Sequence, residues 1–191
     1  MLAGVLALQG DFEAHGRMLR DLGAGVREVR VPADLEGLDG LIIPGGESTT
    51  MTLGIEREGL AEPLRDFATS GAPVFGTCAG MIMLDRNHLG VLDIECRRNA
   101  FGRQIRSFEA NLQIEGKPVR AVFIRAPWVE ICGEDVEVLA TVDGHPVAVR
   151  QENKLVISFH PEIAGETRLH ELFLEAVRQR CSEQPSRSSP A

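Results

Sequence analysis

The stretch Val74-Phe75-Gly76-Thr77-Cys78-Ala79-Gly80 restricts the fold of this chain more than any other. A short apolar run stops at a Gly-x-Cys-x-Gly turn and resumes at once as Met81-Ile82-Met83-Leu84. This predicts a buried strand feeding directly into a helix, the architecture of a nucleophile elbow with cysteine in place of serine. Side chains at Gly76 or Gly80 would crowd a turn tight enough to lift the Cys78 sulfur clear of the backbone. The following helix aims free N–H groups and the positive end of its dipole at that sulfur, an environment that suits an attacking thiolate. Cys78 is therefore the candidate nucleophile. A structural cysteine beside a glycine-rich turn would leave the same local pattern, so the assignment needs partners elsewhere in the chain.

The residues before the elbow alternate strand and helix. Met1 to Leu8 is continuously apolar, as in a strand covered on both faces, and Asp11 is placed to cap a helix over Phe12 to Leu22. Strands are expected at Val26 to Val31 and Gly40 to Ile43, with a helix from about Glu56 to Thr69. Gly23-Ala24-Gly25 follows a helix and precedes a strand, the reverse of a dinucleotide fingerprint. From Leu89 the pattern changes to short β segments at 91–97, 107–114, 119–125, 136–142, 146–151 and 154–159. Turns fall at Glu115-Gly116-Lys117-Pro118 and Asp143-Gly144-His145-Pro146. A helix from about Glu166 to Arg180 closes the chain. The expected fold class is α/β: one three-layer domain over residues 1–181, with a mostly parallel central sheet flanked by helices, antiparallel strands added in the second half, and a disordered tail at 182–191.

At 191 residues the chain has the size of one domain. Its formal net charge of -8 argues against a general nucleic-acid binder, which needs a basic face to displace counterions. Cys78, Cys96, Cys132 and Cys181 show neither a C-x-x-C pair nor zinc-ligand spacing, so no metal or cofactor is expected. The apolar start ends at Gln9-Gly10-Asp11, too early for a signal peptide or membrane span, and a reducing cytoplasm is the expected location.

An activated thiol needs a base, and the base needs a group to fix its tautomer and steady its charge. His160 and Glu162 suit those roles. They follow the end of a predicted strand, as Cys78 follows another, and parallel strands open their ends on one edge of a sheet. Attack on a carbonyl carbon also needs donors for the oxyanion. The N–H of Ala79 is one, and the Gly45-Gly46 backbone, at the end of a third strand, supplies another. The loop Pro44-Gly45-Gly46-Glu47-Ser48-Thr49-Thr50 opens there, with Ser48 placed to cap the next helix.

Gly76-Thr77-Cys78-Ala79-Gly80 together with His160-Pro161-Glu162 resembles the class I (triad) glutamine amidotransferases. The Pro44 to Thr50 loop narrows the likeness to the glutaminase subunits of pyridoxal 5'-phosphate synthase. Leu8-Gln9-Gly10-Asp11-Phe12, Arg98 to Gln104, Ser107-Phe108-Glu109-Ala110, Val122 to Pro127 and Ser158 to Glu162 support it. The resemblance implies hydrolysis of L-glutamine to glutamate and ammonia, with Cys78 forming a γ-glutamyl thioester, His160 as general acid and base, and Glu162 orienting it. It places Gly46 and Ala79 in the oxyanion hole, and Gly46, Glu47, Ser48, Arg98, Ile124 and Arg125 around the substrate. It further implies a partner, a (β/α)8-barrel synthase subunit in a large heteromeric complex. That subunit would combine the ammonia with ribose 5-phosphate and glyceraldehyde 3-phosphate.

Two departures from the family pattern stand out. The segment Met81 to Leu89 is short, and Trp128 stands where the family commonly has histidine. Other readings of the same motifs are a glutaminase serving another pathway such as imidazole glycerol phosphate synthesis, a cysteine hydrolase of peptides or small amides, and a non-catalytic regulatory subunit.

Overall fold

Strands whose two faces are both apolar need cover on both sides, and the chain provides it in three layers. The computed structural model describes residues 1–101 and 107–183. Its first half runs β1 (Leu2–Leu6), α1 (Phe12–Asp21), β2 (Gly25–Val29), a 3-10 turn at Pro32–Leu35, β3 (Gly40–Ile43), α2 (Ser48–Arg57), α3 (Ala61–Thr69), β4 (Val74–Thr77) and α4 (Ala79–Leu84). The second half runs β5 (Ile94–Arg97), β6 (Ser107–Ile114), β7 (Lys117–Ile124), β8 (Trp128–Cys132), β9 (Glu137–Val142), β10 (His145–Gln151), β11 (Lys154–Ile157), α5 (Pro161–Ala164) and α6 (Arg168–Glu183).

Among the described residues, seven strands form one sheet in the order β2-β1-β3-β4-β11-β10-β9. The first five run parallel, and β10 turns antiparallel to both β11 and β9. Alternate residues of the inner parallel strands enter opposite cores. Leu41 and Ile43 join Leu6, Met51 and Leu64 on one face, whereas Ile42 joins Val5, Phe75 and Phe173 on the other. Each such side chain contributes roughly 1.5–3 kcal/mol on burial. β5–β8 and β6–β7 make two separate antiparallel pairs. In the second of these Phe108 and Phe123 face each other across the strands, with stacked rings 4.5 Å apart.

The expected α/β architecture is the one observed, and the differences are local. The helix read over 56–69 is two helices, because Gly59 takes a left-handed turn (φ 66) and α2 begins earlier, at Ser48. Its cap is Glu47 rather than Ser48: the Glu47 carboxylate accepts from the backbone N–H of Thr49 and Thr50, which leaves Ser48 as the first, buried helical residue. Asp11 caps α1 as expected, accepting from Ala14 N–H. β8 has no counterpart in the sequence reading. Among the described residues it pairs only with β5, and only Val129 of it is deeply buried, so its alternation is faint. β10 admits Pro146 because the ladder to β9 is irregular between Pro146 and Ala148. The closing helix extends to Glu183, past the residues read as the start of a tail, and the rest of that tail, 184–191, lies outside the described residues.

The short segment after the elbow closes on Asp85. This buried carboxylate accepts from the N–H of Asn87 and of Cys96 and binds His88 Nδ1 at 2.8 Å, so α4 needs no further turn before β5.

The elbow itself has no room for a side chain at Gly80, where a Cβ would overlap the carbonyl oxygen of Ile43 on the neighbouring strand. Gly80→Ala is expected to lower the stability of the domain by about 1–3 kcal/mol, as overpacked cores do. Urea unfolding of the two proteins checks this, with the midpoint moving down at unchanged slope.

Candidate active site

Cys78 sits between β4 and α4 with left-handed backbone (φ 49, ψ -106). A non-glycine residue rarely adopts that conformation, and it persists only where its surroundings hold it in place. Here β4 lies between β3 and β11, and Cys78 N–H donates to the Ile157 carbonyl, extending the parallel ladder to the candidate nucleophile itself. The chain then enters α4 at Ala79, whose N–H is among the first-turn amides that no helical carbonyl can reach.

The base arrives from the adjacent strand. Past β11, Ser158 and Phe159 are fully buried, and His160 N–H is tied to the Val122 carbonyl of β7 at 2.8 Å. His160 then begins the short helix α5, with Pro161 at its first position and Glu162 in its first turn. This turn folds Glu162 back so that its Oε1 lies 2.7 Å from His160 Nδ1. The Glu162 side chain is 1% exposed and that of His160 12%. On its other side His160 shares the cavity floor with Cys78. Burial works against a charged imidazole, but the hydrogen bonds and charges of Cys78 and Glu162 outweigh it and push the His160 pKa up to about 10. At neutral pH the His160 ring is therefore held protonated beside the sulfur.

The glycine loop after β3 completes the floor. A Cβ at Gly45 would stand 2.6 Å from His160 Cε1 and 3.3 Å from Cys78 Cβ, so only glycine lets this backbone come so close to the reacting pair. A cavity of about 200 Å³ opens over it, large enough for an amino acid, and is lined by Gly46, Glu47, Ser48, Cys78, Ala79, Arg98, Ile124, Arg125 and His160. Every site residue named from sequence lines this cavity except Gly45, which lies under the pair, and Glu162, which lies behind His160. Ile82, Asn99 and Pro127 line it too, and sequence reasoning did not name them. Each adjoins or faces a named residue, but apolar and amide side chains carry no chemical signal of their own. A larger concavity of about 320 Å³ lies beside Pro73, Arg150 and Asn153, near the opposite ends of β4 and β11, and holds none of the candidate residues.

Glu47 and Arg98 have partners already. The Glu47 carboxylate accepts from Thr49 N–H, Thr50 N–H and Thr50 Oγ1–H, and the backbone bonds above all hold its pKa down to about 2. Arg98 Nη2 lies 3.2 Å from Glu47 Oε1 and 3.3 Å from Thr49 Oγ1. The Glu47 carbonyl accepts from Gln9 Nε2 at 2.5 Å. Arg125 is exposed at the rim with left-handed backbone (φ 44). Trp128 does not line the cavity. It stacks flat on His145, ring centroids 3.6 Å apart, with the Arg97 guanidinium 5.6 Å from its ring. Of the stretch from Arg98 to Gln104, residues Gly102, Arg103 and Gln104 lie outside the described residues.

The other three cysteines are free thiols without such surroundings. Burial and the Asp85 carboxylate push the Cys96 thiol far up, and partial burial with nearby carboxylates raises Cys132 and Cys181.

Residues 5–179 match the SNO glutamine amidotransferase family. The chain belongs to that family. Curated relatives named pyridoxal 5'-phosphate synthase subunit PdxT include those of Frankia alni, 53% identical over 92% of this chain and 94% of the relative, and Fervidobacterium nodosum, 50% identical over 94% and 98%. A solved structure described as a glutamine amidotransferase is 47% identical and superposes with a TM-score of 0.87, covering 92% of this chain and 98% of its own. The PurLQS structure from Thermotoga maritima, 18% identical with a TM-score of 0.74 over 94% and 98%, shares the fold. Family membership distinguishes this chain from cysteine hydrolases that merely share an elbow.

The pairing of His160 with both Cys78 and Glu162 gives its titration a definite sign. In the intact chain the His160 ring is expected to stay protonated well above pH 6.5, and in Cys78→Ala to lose its proton at lower pH, because one of the two groups that raise it is gone. NMR of labelled histidine checks this. A ring that titrates near pH 6.5 in both proteins contradicts the pairing.

Proposed function

We propose that this chain is the glutaminase subunit of a pyridoxal 5'-phosphate synthase, hydrolysing L-glutamine to glutamate and ammonia and passing the ammonia to a synthase subunit. One observation carries the chemistry. A buried carboxylate holds a raised-pKa histidine against a cysteine at an elbow, on the floor of a cavity of amino-acid size in a chain of this family.

In this reading the Cys78 thiolate attacks the side-chain amide carbon of glutamine. The negative oxygen that forms is met by the N–H of Ala79 and by the Gly46 backbone. His160 gives its proton to the departing nitrogen, which leaves as ammonia, and the γ-glutamyl group remains on Cys78 as a thioester. The now neutral His160 takes a proton from water, and the resulting hydroxide adds to the thioester carbon. The carbon–sulfur bond breaks, glutamate leaves, and the sulfur and imidazolium are restored. Glu162 accepts from His160 Nδ1–H and holds the imidazole in the tautomer that points Nε2 at the sulfur.

For the amino-acid end of the substrate, the cationic rim of Arg98 and Arg125 suits the α-carboxylate. Glu47 supplies negative charge beside Arg98 while its oxygens cap α2. Ser48 and Ile124 complete the walls. The names of the relatives support a synthase subunit as the partner, and a (β/α)8 barrel condensing the ammonia with ribose 5-phosphate and glyceraldehyde 3-phosphate in a large complex is part of the proposal. The proposed location is the cytoplasm. Among the described residues no helix is long and apolar enough to cross a membrane. The domain is proposed to span residues 1–181.

Ammonia release from L-glutamine, measured for the chain alone and with the synthase subunit, tests this reading. Activity is expected to rise with the subunit present and to fall by about three orders of magnitude or more in Cys78→Ala. Release that depends on Cys78 but ignores that subunit would assign the glutaminase to another pathway. Absence of release in both conditions would overturn the proposal.

A further inference from the structure

Behind Glu162 lies a line of buried groups that the reaction above does not use. His15 on α1 and His170 on α6 are both 0% exposed. His15 Nδ1 lies 2.8 Å from His170 Nε2. On its other side, His15 Nε2 lies 3.5 Å from Glu162 Oε2 and 3.4 Å from Oγ1 of Thr77, the residue before the nucleophile. Glu162 Oε1 is taken by His160, whereas Oε2 is buried and among the described residues has no hydrogen-bond partner.

Burial, reinforced by His170 and then His160, lowers the His15 pKa well below its ordinary value, and burial lowers that of His170 to about 4. Each ring is therefore neutral near pH 7 and carries one proton. Two arrangements satisfy the 2.8 Å contact between them. In one, His15 Nδ1–H donates to His170 Nε2. His15 then turns a lone pair toward the Glu162 carboxylate, and His170 Nδ1–H is left as a buried donor with no partner, a costly state. In the other, His170 Nε2–H donates to His15 Nδ1, His15 Nε2–H faces Glu162 Oε2 and Thr77 Oγ1, and the unpartnered His170 Nδ1 is only an unfilled acceptor. The second places a positive N–H end against a carboxylate in an interior that screens it little. At 3.5 Å the attraction is electrostatic rather than a full hydrogen bond.

We infer that His15 is a positioning residue for Glu162: fixed by His170 as its Nε2–H tautomer, it holds the carboxylate in the orientation that His160 requires. The line from His170 through His15, Glu162 and His160 to Cys78 then has one consistent set of protons. It ties the triad to α1 and α6, two helices that contribute nothing to the cavity wall. This inference rests on the assignment of Cys78, His160 and Glu162 as the catalytic set, and deepens it.

Two readouts test it. In the intact protein at pH 7, nitrogen NMR of labelled histidine is expected to show His15 neutral with its proton on Nε2, and a proton on Nδ1 would overturn the inference. With the synthase subunit present, His15→Leu is expected to lower kcat for L-glutamine about ten-fold or more, as a slight misplacement of a catalytic group does, at nearly unchanged KM. His15→Gln, which carries an N–H donor near the same place, is expected to recover most of that loss. Unchanged kcat in His15→Leu, or an equal loss in both variants, would overturn the inference and leave His15 a packing residue. Activity surviving in Cys78→Ala would instead remove the triad assignment, while the tautomer readout is independent of turnover.

Discussion

Cys78 and His160 meet because β4 and β11 run parallel and side by side, and the register between them sets how far apart the two residues lie. Thr77 stands opposite Ile157, and the next N–H along, that of Cys78, donates to the Ile157 carbonyl. The two chains leave the sheet together, one into the elbow and the other into the turn that carries His160 and Glu162. Neither exit is loose. Left-handed backbone at Cys78 is tolerated because α4 follows at once and Gly80 lies flush against β3. His160 is pinned by its backbone N–H to β7. The cost of strain at Cys78 is thus offset by ladder hydrogen bonds and by two apolar cores that grip the inner strands from both faces.

Much of this was legible in the sequence because glycine, proline and continuous apolar runs are local signals. The elbow, the parallel first half and the turns at Glu115-Gly116 and Asp143-Gly144 follow from them; all four of these turn residues adopt positive φ. The proposed trio could be named from sequence because Cys78, His160 and Glu162 each sit just past a strand end. Most of what escaped was decided by contacts distant in sequence. β8 takes its ladder bonds from β5, a strand more than thirty residues earlier, and its own residues hardly alternate. The start of α2 was misplaced because the cap is a glutamate reaching forward to two amides, a role more common for shorter side chains. His15 looked like an ordinary helical position until the fold set it between His170 and Glu162.

The substrate side of the cavity is organised by charge rather than by shape. Glu47 caps α2, pairs with Arg98 and carries Gln9 on its carbonyl, so one short loop links the first strand's end, the oxyanion backbone and the cationic rim. Trp128, which departs from the usual family residue, turns away from the cavity and is absorbed by His145 and Arg97. That departure changes the surface beside the site and leaves the reacting groups untouched.

The central claim is that Cys78, and no other cysteine, attacks the side-chain amide carbon of glutamine. Exposing the protein to a glutamine analogue with an electrophilic carbon at that position, then mapping adducts by mass spectrometry, tests it most directly. The account predicts a single adduct on Cys78 that L-glutamine suppresses. An adduct on Cys96, Cys132 or Cys181, or one on Cys78 indifferent to L-glutamine, would contradict it.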